Sequence, residues 1–253
     1  HKAIRRQRQM CIRDSIYIGG YVEDADIWSG QDIIIQDGVN AGENGRIEAM
    51  GNISARFFEN AHIISHSDIK CDYMLNTTAL AYGGIYLEGK RGSVIGGDVT
   101  GVRGICIKAC GSESYSKTVL RVGVTKEISS EYAKVLMVLK DIDTQIDRFN
   151  QALQKLDILK KAGSDKFDET LNRKLLQSKI VKTAEKAKYE EKSRNLYTLV
   201  RESDRAVVRI DKNIYPGSRV FMGDKTYVPS TVFTHIALKK TSQGVLIRNY
   251  DSM

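Results

Sequence analysis

Ile47-Glu48-Ala49-Met50-Gly51-Asn52-Ile53, Ile63-Ile64-Ser65-His66-Ser67-Asp68-Ile69 and Ala79-Leu80-Ala81-Tyr82-Gly83-Gly84-Ile85 are three copies of one pattern. Each runs apolar, any, small, any, any, Gly or small polar, then Ile. An earlier copy is Ile27-Trp28-Ser29-Gly30-Gln31-Asp32-Ile33, and a looser one is Val94-Ile95-Gly96-Gly97-Asp98-Val99. The closing residues fall 16 apart from Ile53 to Ile69 and 16 apart from Ile69 to Ile85. From Ile33 to Ile53 the spacing is 20, with the extra residues in the polar stretch 40–45; from Ile85 to Val99 it is 14, a shortened coil.

A repeat of this size is too short for a helical pair. Alternating apolar and small residues with Gly, Asp or Asn corners suit short strands and tight turns. One coil cannot bury its own apolar residues, whereas stacked coils align equivalent side chains into interior ladders. The sequence therefore predicts a mainly β fold, a parallel β-solenoid over residues 16–125, with Ile33, Ile53, Ile69, Ile85 and Val99 as one ladder. An antiparallel sandwich also uses short strands, but the 16-residue register favours the solenoid.

Past residue 125 the period changes. Ile128, Tyr132, Val135, Leu139, Ile142, Ile146, Phe149, Leu153 and Leu156 alternate spacings of four and three, a coiled-coil seam over four heptads. A helix from Lys126 to Leu159 would be about 50 Å long. Ala162-Gly163-Ser164-Asp165 breaks it, with Gly163 suited to the C′ position and Ser164 or Asp165 to the next N-cap. A second helix, from about residue 167 to 203, has a less regular seam of Leu171, Leu175, Ile180 or Val181, Ala184, Ala187, Leu196 and Leu199. The short break predicts a long antiparallel coiled-coil hairpin over 126–206. β pattern returns in 207–253, around the Pro216-Gly217 turn, and is expected to complete or cap the solenoid.

The chain has 253 residues and a net charge of +8. Five basic residues against Asp14 place half of that excess in residues 1–15. There, Met10-Cys11-Ile12-Arg13-Asp14-Ser15 looks like one reading frame of a transposon adapter used in sequencing libraries. Residues 1–15 are therefore read as a scar and set aside. Across 126–206 the charges are mixed, 18 basic and 14 acidic residues, which suits a solvated helix face rather than a nucleic-acid groove. No apolar run approaches the roughly 18 residues of a membrane span.

His62 and His66 with Cys71 would suit a metal on a helix, but they fall in a β coil and read as surface or corner residues. Cys106 and Cys110 read as core or edge thiols. The run Gly92 to Gly97 lacks the Lys-Ser/Thr pair of a phosphate loop. Asp24, Asp26 and Asp32 lack EF-hand spacing. Trp28 reads as a packing residue. Asp32, Asn52, Asp68 and Gly84 change type at equivalent positions, which suits turns better than a catalytic row. No catalytic, cofactor-binding or metal residue is assigned.

Gly89-Lys90-Arg91-Gly92-Ser93-Val94-Ile95-Gly96-Gly97-Asp98 resembles the glycine-rich signature of the flagellar assembly protein A family. Gly111-Ser112, Thr118-Val119-Leu120-Arg121-Val122-Gly123 and Ile214-Tyr215-Pro216-Gly217 follow in the same order. The family-motif turns are Gly92, Gly96, Gly97, Pro216 and Gly217. The resemblance implies a β-solenoid with an inserted coiled coil and a role in flagellar assembly. It also implies a separate N-terminal domain, so the chain reads as N-terminally truncated. The expectation is a cytoplasmic, non-enzymatic scaffold whose coiled coil binds flagellar or polar proteins or a second copy of itself. It would bind no nucleic acid, enter no membrane and need no cofactor. The alternative is a solenoid enzyme acting on carbohydrate or acyl substrates.

Overall fold

The computed structural model describes residues 4–5, 8–11, 14–42, 45–124, 126–163, 167–203 and 205–249. The chain divides into two compact units, residues 1–125 with 199–253, and residues 126–198.

The first unit is a parallel β-solenoid. Each coil lays down three short strands, and each strand pairs parallel with its equivalents in the coils before and after. On one face Asp26–Ser29, Arg46–Ala49 and His62–Ser65 stack in register, followed by the second half of Tyr73–Ala81. On the next face Ile16–Ile18, Ile33–Ile35, Ile53–Ser54, Ile69–Cys71, Gly84–Leu87 and Gly104–Ile107 stack. The third carries Val22–Glu23, Gly38–Asn40, Phe57–Glu59 and the first half of Tyr73–Ala81. Strand pairing begins ahead of residue 16, because Ile4–Arg5 pairs with Val22–Glu23 and Arg8–Cys11 with Asp26–Ser29.

Alternation of side chains along each strand sends one set inward. Ile16, Ile33, Ile53, Ile69, Ile85 and Ile105 form one ladder through the interior, all buried. Ile27, Ile47, Ile63, Ala79, Val99 and Leu120 form a second. Val22, Val39, Phe58, Met74, Val94 and Cys110 form the third. Each larger aliphatic rung contributes about 1.5–3 kcal/mol by leaving water. Val99 is thus a correction: it lies opposite Ala79 on another face, and the rung above Ile85 is Ile105. The coil from Ile85 to Ile105 is 20 residues long, lengthened rather than shortened.

Buried hydroxyls satisfy the backbone where the chain turns. Ser65 Oγ donates to the Gly51 and Asp68 carbonyls and accepts from Ser67 N–H. Thr77 Oγ1 serves the Phe58 and Leu75 carbonyls at a different corner. At that corner Asp24, Asn60 and Asn76 each have φ of +47°, a left-handed conformation that Asn and Asp tolerate better than bulkier residues.

After Thr118–Val122 the chain runs through helix α1 (Lys126–Lys161) and helix α2 (Glu169–Ser203). It returns as Val207–Ile214, which pairs with Gly104–Ile107 as the next rung of the solenoid. The last coil then turns antiparallel. Phe233–Lys240 pairs with Val207–Ile214, and Val245–Asn249 pairs with Phe233–Lys240. Ile236 and Leu238 are fully buried there.

The second unit is the two helices packed together. The nine residues of the α1 seam, from Ile128 to Leu156, are all buried or half-buried. Lys186 meets Asp143 at 2.7 Å, Lys192 meets Glu131 at 2.7 Å, and Tyr132 tilts against Tyr197. Gly163 has φ of +61° at the end of α1. The N-cap of α2 is Asp168, whose Oδ1 accepts the N–H groups of Thr170 and Leu171. Ser164 and Asp165 lie outside the described residues. The α2 seam is corrected too: Leu175 and Leu199 are half-buried and Leu196 is buried, but Leu171, Ile180, Val181, Ala184 and Ala187 are exposed.

Candidate functional site

The acidic and amide residues that recur at equivalent repeat positions fall at the corner between the first two faces. Asp32, Asn52, Asp68 and Gly84 do stack there, one per coil. Asp32 Oδ1 accepts Asn52 N–H at 2.6 Å, and Asn52 Oδ1 accepts Asp68 N–H at 3.2 Å. Asp68 Oδ1 then accepts Gly84 N–H at 2.7 Å. Each polar side chain thus receives the backbone of the coil above it. Glycine makes the room: a Cβ on Gly51 would collide with the Asp32 carboxylate, and one on Gly83 with that of Asp68. Asp72 repeats the device, accepting Arg91 and Gly92 N–H with Gly89 beside it. Asp26 Oδ1 accepts Arg46 N–H. These carboxylates clamp coil to coil.

The remaining polar candidates lie apart. The His66 ring stacks on Tyr82 at 4.8 Å and comes within 3.9 Å of Glu48. His62 points outward from the same strand and is exposed. Cys71 is buried on another face, where burial raises its thiol pKa far above the usual range. Among the described residues no group of three or more His, Cys, Asp or Glu could hold a metal ion. Cys110 is buried, and desolvation pushes its thiol up to about 12; Cys106 is half-buried, with its pKa raised chiefly by the same cause. Asp24 sits at a corner and Asp32 in the clamp, so the three early aspartates do not converge. Trp28 is half-buried on a strand, in register with Glu48.

Aromatic side chains also stack along the solenoid. Phe57 and Tyr73 stack with ring centroids 5.1 Å apart and planes nearly parallel, Tyr21 tilts against Phe57, and the Arg91 guanidinium sits 4.5 Å over Tyr73. Phe57 covers the space that a side chain on Gly38 would need. The ring faces are turned to one another, so this column stabilises successive coils rather than offering a flat stacking platform.

Of the motif glycines, Gly96, Gly97, Gly111 and Gly217 come together at the corner between the third face and the first, whereas Gly89 and Gly92 lie at the corner before the third face. Thr77, Gly97, Thr118 and Ser218 are register partners in four successive coils. Gly96 and Gly97 have φ of +69° and +79°, and Gly96 N–H donates to Thr118 Oγ1 at 2.9 Å. Gly111 lies beside Ser218 and Tyr215, and Tyr215 N–H donates to the Cys110 carbonyl at 3.0 Å. Gly217, at φ +93° after Pro216, approaches the Tyr115 carbonyl too closely for any side chain. Gly92, at φ +57°, is covered by the Lys108 stem. Sequence reading found each motif but not their common corner, because the helices put about a hundred residues between Thr118 and Ser218.

On the helices, a groove is lined by Ser130, Glu131, Lys134, Val135, Tyr189 and Lys192. Its wall is mixed in charge, with Lys192 paired to Glu131. Among the described residues no helix is long and apolar enough to cross a membrane.

Comparison with curated proteins and with solved structures returns no match. The model of one family, described as the Flagellar Assembly Protein A beta solenoid domain, matches residues 12–243. That span includes the whole motif corner, the clamp column and both helices, and the chain belongs to this family.

Proposed function

We propose that the protein is a non-catalytic scaffold of flagellar assembly, acting in the cytoplasm through contacts with other proteins. Family membership supports the flagellar role. The observation that carries the scaffold reading is the clamp column. Asp32 and Asp68, the carboxylates at equivalent repeat positions, each accept a backbone N–H of the following coil. Glycosidic or acyl chemistry needs carboxylates or a base free to meet a substrate. The two helices supply an extended surface of the kind that docks partner helices.

The test is affinity capture from a flagellated host, using the chain without residues 1–15. One form keeps residues 126–206 and the other replaces them with a short turn. Flagellar-pole or flagellar-export proteins recovered only with the helices are the expected result. Recovery of no protein by either form would overturn the reading. No salt-sensitive association with nucleic acid is expected from the chain lacking 1–15.

A further inference from the structure

Helix α2 carries part of its apolar surface on the side away from its own partner helix. Its buried and half-buried positions include Leu175, Lys179, Lys182, Lys186, Tyr189 and Leu196, three or four residues apart except at the last step. They mark one side of the helix, and the ion pair of Lys186 with Asp143 turns that side toward α1. Lysine stems there cover the α1 seam, with their ammonium groups reaching water or carboxylates. Leu176, Ile180 and Val181, by contrast, are 44%, 69% and 59% exposed. Ala184 and Ala187 are exposed as well. At helical spacing these residues form an outward apolar stripe about 16 Å long.

The charges around the stripe select its occupant. On the outward side, between residues 171 and 188, α2 carries Arg173, Lys174 and Lys188; Lys179, Lys182 and Lys186 belong to the α1 side, where Lys182 pairs with Glu185 and Lys186 with Asp143. Two such helices set face to face would bring like charges together, which opposes pairing with a second copy through this stripe. A lipid surface would suit the charge. However, helices that lie in a membrane interface bury Trp, Phe or Leu, and this stripe has no aromatic residue and continues as Ala184 and Ala187. Small residues instead let another helix approach closely. We propose that the outward stripe of α2 docks an amphipathic helix of a partner protein, one with an apolar seam flanked by Asp and Glu. The proposal rests on the scaffold reading and narrows it to one surface and one partner chemistry.

The test titrates the full chain into two labelled peptides of about three heptads with the same Leu/Ala seam, one flanked by Glu and one by Lys. The Glu-flanked peptide is expected to bind at least about tenfold more tightly than the Lys-flanked one. The double variant Leu176→Ser/Ile180→Ser keeps every charge and should weaken that binding by at least about tenfold, with the helical signal unchanged. Equal binding of the two peptides, or equal binding to the variant, would overturn the proposal. So would self-association of the chain that the double variant abolishes, since the stripe would then belong to a second copy. Binding to phosphatidylglycerol vesicles that the variant loses, without peptide binding, would assign the stripe to lipid. If the peptides fail while capture of flagellar proteins still depends on the helices, the scaffold reading stands and this docking surface falls.

Discussion

Replacing Gly97 with alanine should destabilise the solenoid by about 2–5 kcal/mol, although it adds a single methyl group. Two costs combine. Gly97 has φ of +79°, outside the range comfortable for any residue with a Cβ, and holding alanine in a left-handed conformation costs about 1–2 kcal/mol. The second cost is steric. A Cβ at this position would lie 2.7 Å from Thr77 N and 2.8 Å from Thr77 C, and closer still to the carbonyl oxygen. Carbon contacts are comfortable at about 3.5–4.0 Å, so the coils would have to part by about 1 Å where strands normally sit about 4.8 Å apart. Backbone cannot swing aside as a side chain can, and overpacking of this kind costs about 1–3 kcal/mol. The strain should fall on the neighbouring rungs, Thr78 with Asp98 and Ala79 with Val99.

Gly163 is the internal comparison. Its φ is +61°, yet no atom outside its immediate neighbours lies within 4 Å of the added Cβ, so Gly163→Ala should cost only the conformational term, about 1–2 kcal/mol. Urea unfolding followed by the β signal gives the midpoint shift. Stacked coils can open in steps, so amide exchange at Thr78 and Asp98 should be read alongside it. A Gly97→Ala midpoint no lower than that of Gly163→Ala, with unchanged exchange at those rungs, would refute the steric argument.

Other outcomes follow from the same structure. Ile142→Asp places a carboxylate at a site 2% exposed in the α1 seam; it should cost at least the roughly 2–5 kcal/mol of an isoleucine truncation. Circular dichroism should show helical signal lost and β signal kept, and joint loss of both would mean that the two units fold as one. Asp68→Ala removes the acceptor of Gly84 N–H and should lower stability by about 1 kcal/mol. Asp68→Asn keeps an acceptor, as Asn52 does one coil earlier, and should cost markedly less; equal midpoints for the two variants would contradict the clamp. Native Cys71 and Cys110 should resist a thiol reagent near neutral pH while Cys106 reacts first among the three, as resolved by peptide mapping; early labelling of Cys110 would contradict its burial. Because burial raises the thiol pKa of Cys110 from 9.0 to about 12, the unfolded chain ionises first. Stability attached to this thiol is therefore present below about pH 9 and is lost as pH rises toward 12, which alkaline unfolding midpoints would show.

Most of the interior ladder could be read from sequence because four copies of the repeat share one corner. Ile33, Ile53, Ile69 and Ile85 each close a turn from the first face to the second. Val94-Ile95-Gly96-Gly97-Asp98-Val99 has a similar composition but crosses a different corner, from the third face to the first. The true fifth copy is Val99-Thr100-Gly101-Val102-Arg103-Gly104-Ile105, six residues later. Apolar-then-small patterning marks any tight corner of a coil and does not say which one. Only the register of hydrogen-bonded neighbours separates them. The second helix departs from its sequence pattern for another reason. Periodicity identifies an apolar stripe, but not what covers it. In α2 the lysine stems face the first helix while Ile180 and Val181 face outward. Hydrophobic pattern alone would place Ile180 or Val181 in the seam.

The position of the helices in the repeat shows how so large an insertion leaves the solenoid intact. In preceding coils the corner from first to second face is two residues, Tyr82-Gly83 after Ala81 and Val102-Arg103 after Gly101. The next coil reaches Val122, and Gly123 N–H still bonds to the Val102 carbonyl as Val102 N–H bonds to that of Ala81. The chain then spends residues 124–206 where one corner would be and resumes with Val207 opposite Gly104. Arg103, from the preceding corner, forms an ion pair with Glu202 as the chain returns. Such an insertion must bring its two ends back together. A helix of 36 residues followed by one of 35 does so, because the outward and return paths differ by a single residue, about 1.5 Å. An unmatched heptad in one helix would displace the returning end by about 10 Å, twice the distance between coils. Near-equal helix lengths therefore return the chain close to where it left, which lets Val207 take up the next rung.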